Sequence, residues 1–162
     1  HMTTVHVPLP GRRDAIQAFW LEYQKACGVQ VEGFTATAFG HTRAVADELA
    51  ALVAAGDKRA HATLERDFEV EGDALPRLGE HVVVLDGSGV PRAIVRTRHV
   101  ERRHFNEIDD EFAFECGEGD RTLGWWLTAY RQDFAERAEA LGFQVSDRAV
   151  LILEHFDRVW PQ

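Results

Sequence analysis

Residues 81–100 constrain the chain most. His81, three valines and Leu85 form a run of β-formers, Asp86-Gly87-Ser88-Gly89 is a short turn-forming connection, and residues 92–100 return as a second strand. An antiparallel pair this apolar must be covered, and its flanks supply covers with helical periodicity. In residues 12–27, Ala15, Ile16, Phe19, Trp20 and Tyr23 recur at spacings of three and four, and Gly28 follows as a terminator. Thr42 is placed to cap a second helix with the stripe Val45, Leu49, Leu52 and Val53, ending at Gly56. Asp120 is read as the cap of a third, long helix whose face is Leu123, Leu127, Tyr130, Phe134, Ala138 and Leu141, stopped by Gly142. Residues 149–156 form a last strand, apolar at its start and expected to be central. With no repeat, low-complexity segment or linker, helices and strands are expected to share one α+β core.

Composition narrows the class. No apolar run approaches the roughly 20 residues of a membrane-spanning helix, and the run at residues 149–153 is strand-sized. No membrane partner is expected. His1-Met2 reads as the remnant of a cleaved tag, and residues 3–11 lack the pattern of a secretory signal. Cys27 and Cys116 are too few for a disulfide framework and lack metal-ligand spacing, so free thiols and a cytoplasmic setting are expected. Lys and Arg total 18 against 27 Asp and Glu, a net charge of −9 that repels polyanions and disfavours tight, non-specific duplex binding. A local basic patch could still act, because screening over about 8 Å at physiological salt hides distant charge.

Several residues could carry chemistry. Lys58 and Arg59 follow the glycine that ends the second helix; they are either basic residues answering the helix dipole or a lysine held over a pocket. His61 lies three residues on. Residues 112–122 gather carboxylates, the thiol of Cys116, Glu118, two glycines, Arg121 and Thr122 before a helix start, where an anion could be held. Trp125 points about 200° away from Leu123 on the helical wheel, so it either packs on a second surface or offers a face for stacking. Arg92, Arg96 and Arg98 share one strand face if no bulge intervenes, forming a basic patch or a solvated face paired with carboxylates.

The segment from Phe34 to Phe39-Gly40, the Ala46-Asp47-Glu48-Leu49 helix, Gly56-x-Lys58-Arg59-Ala60, Leu75-Pro76-x-Leu78-Gly79 and Glu118-Gly119-Asp120-Arg121-Thr122-Leu123 together resemble the larger bacterial members of the ASCH domain family. The resemblance implies a PUA-like mixed β-barrel with packed α-helices over residues 34–162, residues 1–33 being a tag remnant and a helical extension packed on it. It also implies association with RNA and a cleft lysine from a Gly-x-Lys-x-x-Thr motif. Some similar proteins are ribonucleases; smaller relatives are amidohydrolases that deacetylate acetylated cytidine with the lysine, the motif threonine and a glutamate. Lys58 matches the lysine. His61 stands at the threonine position, with Thr63 two residues on; Cys116 falls at the glutamate position, with Glu115 and Glu118 on either side; Thr122 stands where relatives commonly have serine.

The reading that follows is an RNA- or nucleotide-handling protein, in the first instance a metal-independent ribonuclease acting on single-stranded RNA. Lys58 would stabilise phosphate charge and His61 would move the 2′-hydroxyl proton, with Cys116 and Glu118 completing the catalytic group. Phe39, Arg59, Arg96, Arg121, Thr122 and Trp125 would hold substrate, with no metal and no cofactor. The alternatives are a non-catalytic module binding a modified base or small nucleotide, and an amidohydrolase acting on acetylated cytidine. A Cys116 nucleophile activated by Lys58 or His61 is a further combination.

Overall fold

The computed structural model describes residues 10–31 and 33–162; His1-Met2 and residues 3–9, where a signal segment was considered, lie outside the described residues. In chain order the elements are α1 (Pro10–Cys27), β1 (Thr35–Ala38), α2 (Arg43–Ala55), β2 (Ala60–Leu64), α3 (Glu65–Glu71), β3 (His81–Leu85), β4 (Pro91–His104), α4 (Asp110–Cys116), α5 (Leu123–Leu141) and β5 (Val150–Trp160). A 3₁₀ turn, Phe105–Glu107, joins β4 to α4.

The five strands make one sheet in the order β1-β3-β4-β5-β2. β1 runs parallel to β3, and the other pairs are antiparallel. The sheet is curled into a half-barrel, the PUA-like form, with β1 and β2 as its edges. β4 makes the curl possible: it pairs with β3 over its first half and with β5 over most of its length, and the β4–β5 register breaks at Ile94/Val95 and Thr97/His99, where bulges let the strands bend.

β3 is buried along its whole length because both faces are covered. Val83 and Leu85 pack with Ile94 against Ile16, Trp20 and Tyr23 of α1, while Val82 and Val84 pack with Val95 against Leu49, Ala50 and Val53 of α2. A third cluster joins Ala60, Ala62 and Leu64 of β2 and Leu151 and Leu153 of β5 to Phe112 and Cys116 of α4 and Trp126, Tyr130 and Phe134 of α5.

The predicted helices and hairpin are present, with local corrections. Thr42 caps α2 by accepting the Val45 N–H, and Gly56 closes it in the left-handed region (φ 83), but Val45 is exposed and Ala46 takes its place in the core. Thr122, not Asp120, caps α5: its hydroxyl accepts the Trp125 N–H, while Asp120 accepts the Thr122 N–H and hydroxyl. β4 and β5 each run four residues past their predicted ends, because each is the other's partner there. β1, β2, α3 and α4 were not predicted.

Candidate functional site

Two glycine-ended helices build the site. At the end of α2 the Gly56, Asp57 and Lys58 amides all fold back onto the last-turn carbonyls, the latter two donating to Leu52, so the chain turns sharply into β2 with Lys58 at the corner. α4 ends at Gly117 (φ 72), where a Cβ would lie 2.2 Å from the Asp57 carbonyl oxygen. The two loops therefore cross in backbone contact, which a glycine alone permits. The Arg59 N–H fixes the crossing by donating to the Glu115 carbonyl at 2.8 Å.

The crossing brings Lys58 Nζ to 2.7 Å from Glu118 Oε2, with the lysine side chain 0% and the glutamate side chain 8% exposed. Lys58 also donates to the carbonyls of Ala60 at 2.7 Å and Cys116 at 3.2 Å, which uses all its ammonium protons. Tyr130 donates to the same Glu118 oxygen at 2.6 Å. Burial and then the Glu118 charge push the Tyr130 phenol well above its usual range, so it stays a donor.

His61 follows on β2, fully buried, its ring 4.5 Å from Phe39 and 6.4 Å from Tyr130. Neither ring nitrogen has a hydrogen-bond partner among the described residues. Burial, and next the Lys58 charge, hold its pKa well below 6.5, so the imidazole is neutral with one donor and one acceptor to offer. A cavity of about 250 Å³ adjoins it, lined also by Glu118, Tyr130, Trp125, Asp133 and Glu48. Directly across the β2–β5 ladder stands Glu154, buried, its pKa pushed up to about 7 by burial and the Glu80 charge against the pull of Lys58. Glu154 lines a second cavity of about 240 Å³ with Thr37, Thr97, Phe39 and Phe156. Phe39 stacks on Phe156 at 5.9 Å and on His61, and so stands between the two spaces.

The other expected residues divide. Trp125 lines the first cavity, its indole seated over Gly119 so tightly that a Cβ there would be 2.2 Å from the ring. Cys116 is wholly buried in the α4–α5 core with its thiol pushed up to about 12 by burial, which removes it as a nucleophile at neutral pH. Arg59 pairs with Glu115 at 2.7 Å. Arg121, in the left-handed region (φ 65), is a strap rather than an anion ligand: it donates to the carbonyls of Phe114 and Asp57 and lies 3.8 Å over the Phe114 ring. The Thr122 hydroxyl is spent on its cap. Arg96 lies near Gly79, with its charge acting on Tyr23 and His81 at the α1 side, away from Lys58. Arg92 pairs with Asp86 at 2.9 Å and Arg98 with Asp157 at 3.5 Å, so for these two, of the two readings of the strand, the one with arginines paired to carboxylates is found. Tyr130, Glu154 and Asp133 were not anticipated; a hydroxyl on an apolar helix stripe and a carboxylate inside a strand were the available signals.

No helix of the described residues is long and apolar enough to cross a membrane. The ASCH domain family model matches residues 35–160. Among solved structures, the ASCH domain from Lactobacillus crispatus JV V101 superposes with a TM-score of 0.83 at 30% identity, covering 94% of this chain and 99% of that one. A protein from Enterococcus faecalis V583 superposes with a TM-score of 0.80 at 24% identity over 91% of each chain. Comparison with curated proteins gives no match. The family match over most of the chain, carried by the same half-barrel that brings Lys58 to Glu118, means that the chain belongs to the ASCH domain family.

Proposed function

We propose that the protein binds a nucleobase-bearing ligand of RNA origin in the cleft beside His61 and hydrolyses an acyl–amino bond on it. The ASCH domain is a PUA-like fold often linked to RNA binding, which supplies the ligand class. The buried Lys58–Glu118 pair at 2.7 Å carries the choice of chemistry. A carboxylate can take a proton from an attacking water and pass it on to the leaving amine, while the Lys58 ammonium, its protons engaged, holds that carboxylate in place. The side-chain hydrogen bonds that Glu118 accepts from Lys58 and Tyr130 both fall on Oε2, and Glu118 lines the cavity, where water and substrate would meet its carboxylate. Phosphodiester cleavage fits less well: it needs positive charge free to face phosphate, whereas the Lys58 protons are all engaged, and Glu48 and Asp133 line the same cavity.

A second reading, binding without turnover, is favoured by His61 standing where the related amidohydrolases place a threonine, since imidazole cannot stand in for that hydroxyl without changing the nucleophile. One experiment separates the two. The protein is incubated with N-acetylcytidine and a panel of free and acylated nucleosides, following both acid release and thermal stabilisation. Release of acetate, reduced about 100-fold or more in Glu118→Gln, supports hydrolysis. Stabilisation without product supports the binding module, and neither effect with any nucleoside removes both readings.

A further inference from the structure

On the sheet face opposite Glu154, β4 and β5 bring His99, Glu101 and His155 together, each offering one ligand atom within 4.8 Å of the others. We infer that these three side chains form a binding site for a divalent transition-metal ion of the zinc type, separate from the Lys58 cleft.

The bulge assembles it. Thr97 pairs with Phe156, but the next paired position on β4 is His99, opposite His155, so Arg98 is the extra residue. In a regular strand His99 would keep the face of Thr97, towards the cleft. The extra residue turns it to the face of His155, and Glu101, two positions on, follows it there. Adjacent residues of a strand point oppositely, so His155 faces away from the cleft that Glu154 lines.

The local contacts suit a metal better than any protein partner present. His99 Nε2 lies 2.8 Å from Glu101 Oε2, and the His99 and His155 rings are 5.2 Å apart. His155 Nε2 is buried with no hydrogen-bond partner among the described residues. Phe112 of α4 packs edge-on against the His155 ring at 5.5 Å and fixes its plane. Arg103 pairs with the other Glu101 oxygen and so orients the carboxylate, as outer partners of metal ligands do. Two imidazoles and one carboxylate are a donor set for zinc and similar ions, whereas magnesium and calcium want oxygen throughout. Bonds of about 2.1 Å in tetrahedral array place donors about 3.4 Å apart, so the 2.8 Å pair opens slightly and the third donor closes by side-chain rotation. A fourth position would face the cavity of about 250 Å³ that Glu115 and Glu111 of α4 also line.

The test is a titration of the full chain with zinc chloride by calorimetry and with cobalt chloride by visible absorption. Because His1 and His6 could also take up metal, the comparison is with His99→Ala, Glu101→Gln, His155→Ala and the triple variant. Expected is one equivalent of zinc bound by the parent, an affinity lower by about tenfold or more in each single variant, and a cobalt absorption band lost in the triple variant. Should His155→Ala fail to fold, His99→Ala, whose side chain is 53% exposed, carries the same test. Zinc binding kept by the triple variant, absence of binding by the parent up to millimolar zinc, or preference for magnesium would each overturn the inference.

Discussion

Gly117 lies against the carbonyl of Asp57 so closely that a β-carbon on it would stand 2.2 Å from the oxygen. This backbone contact sets the distance between Lys58 and Glu118, which are 60 residues apart in sequence. Gly117→Ala meets both a forbidden contact and a left-handed backbone (φ 72), so an expected loss of about 3 kcal/mol in urea unfolding accompanies loss of the ligand-induced thermal shift. Gly142→Ala is the control. That glycine has φ 82 but nothing within 4 Å of the added carbon, so only backbone strain of about 1 kcal/mol is expected, with ligand response intact.

Removing one member of the Lys58–Glu118 pair strands a buried charge. Lys58→Met is expected to destabilise by about 3 kcal/mol, and Glu118→Leu comparably, because each leaves its partner desolvated beside polar groups it cannot neutralise. The double variant should recover most of that loss while remaining inert. A double-mutant cycle by denaturant unfolding measures this directly; strictly additive single losses would mean that the pair is not coupled.

Legibility in the sequence followed the range of the forces involved. α2 could be read to its caps because Thr42, the apolar stripe and Gly56 are local signals. β3 could be read because its five residues are all buried. β1, with alternating Thr and Ala over four residues, and α4, a seven-residue helix, have too little local signal and form because the sheet and α5 cover them. Lys58 and Glu118 were each visible beside a glycine, but their pairing is a loop crossing that no spacing encodes. The arginines of β4 looked like one patch because charge partners such as Asp157, on another strand, cannot be counted along the chain. His99 and His155 were hidden for a different reason: a bulge shifts parity, and parity is what a strand reading depends on.

Glu154 makes stability depend on pH. Its pKa in the fold is raised from 4.5 to about 7 by burial and the Glu80 charge, so the neutral acid is the form the fold favours. Its contribution is therefore fully present below about pH 4.5 and is lost as pH rises through about 7. His61 works in the opposite sense, since its lowered pKa costs stability as pH falls below 6.5, so the parent curve alone mixes the two. Glu154→Gln isolates the first. The variant should gain on the parent by up to about 3 kcal/mol at pH 8 and show little difference at pH 4. An equal difference at both values would mean that Glu154 does not titrate in the fold.

Ion pairing of the arginines also fixes how binding should respond to salt. Arg59, Arg92 and Arg98 are matched to carboxylates and Arg121 to backbone carbonyls, so none brings an unpaired charge to the cleft. Arg77, its side chain 82% exposed, is the arginine lining the Glu154 cavity, and even it faces Glu80 at 4.0 Å. Engagement of at most about one phosphate predicts that log affinity for short single-stranded RNA falls with log salt with a slope of magnitude about 0.7 or less, and that a free nucleoside shows almost none. Arg77→Ala should abolish the residual slope without weakening nucleoside binding, since stacking and the polar groups of the cleft would supply that affinity. Fluorescence titrations between 50 and 200 mM salt, on the order of the usual range for such measurements, read both quantities. A slope several times larger would require an extended basic track, and the confined base-binding cleft would then be the wrong site for RNA.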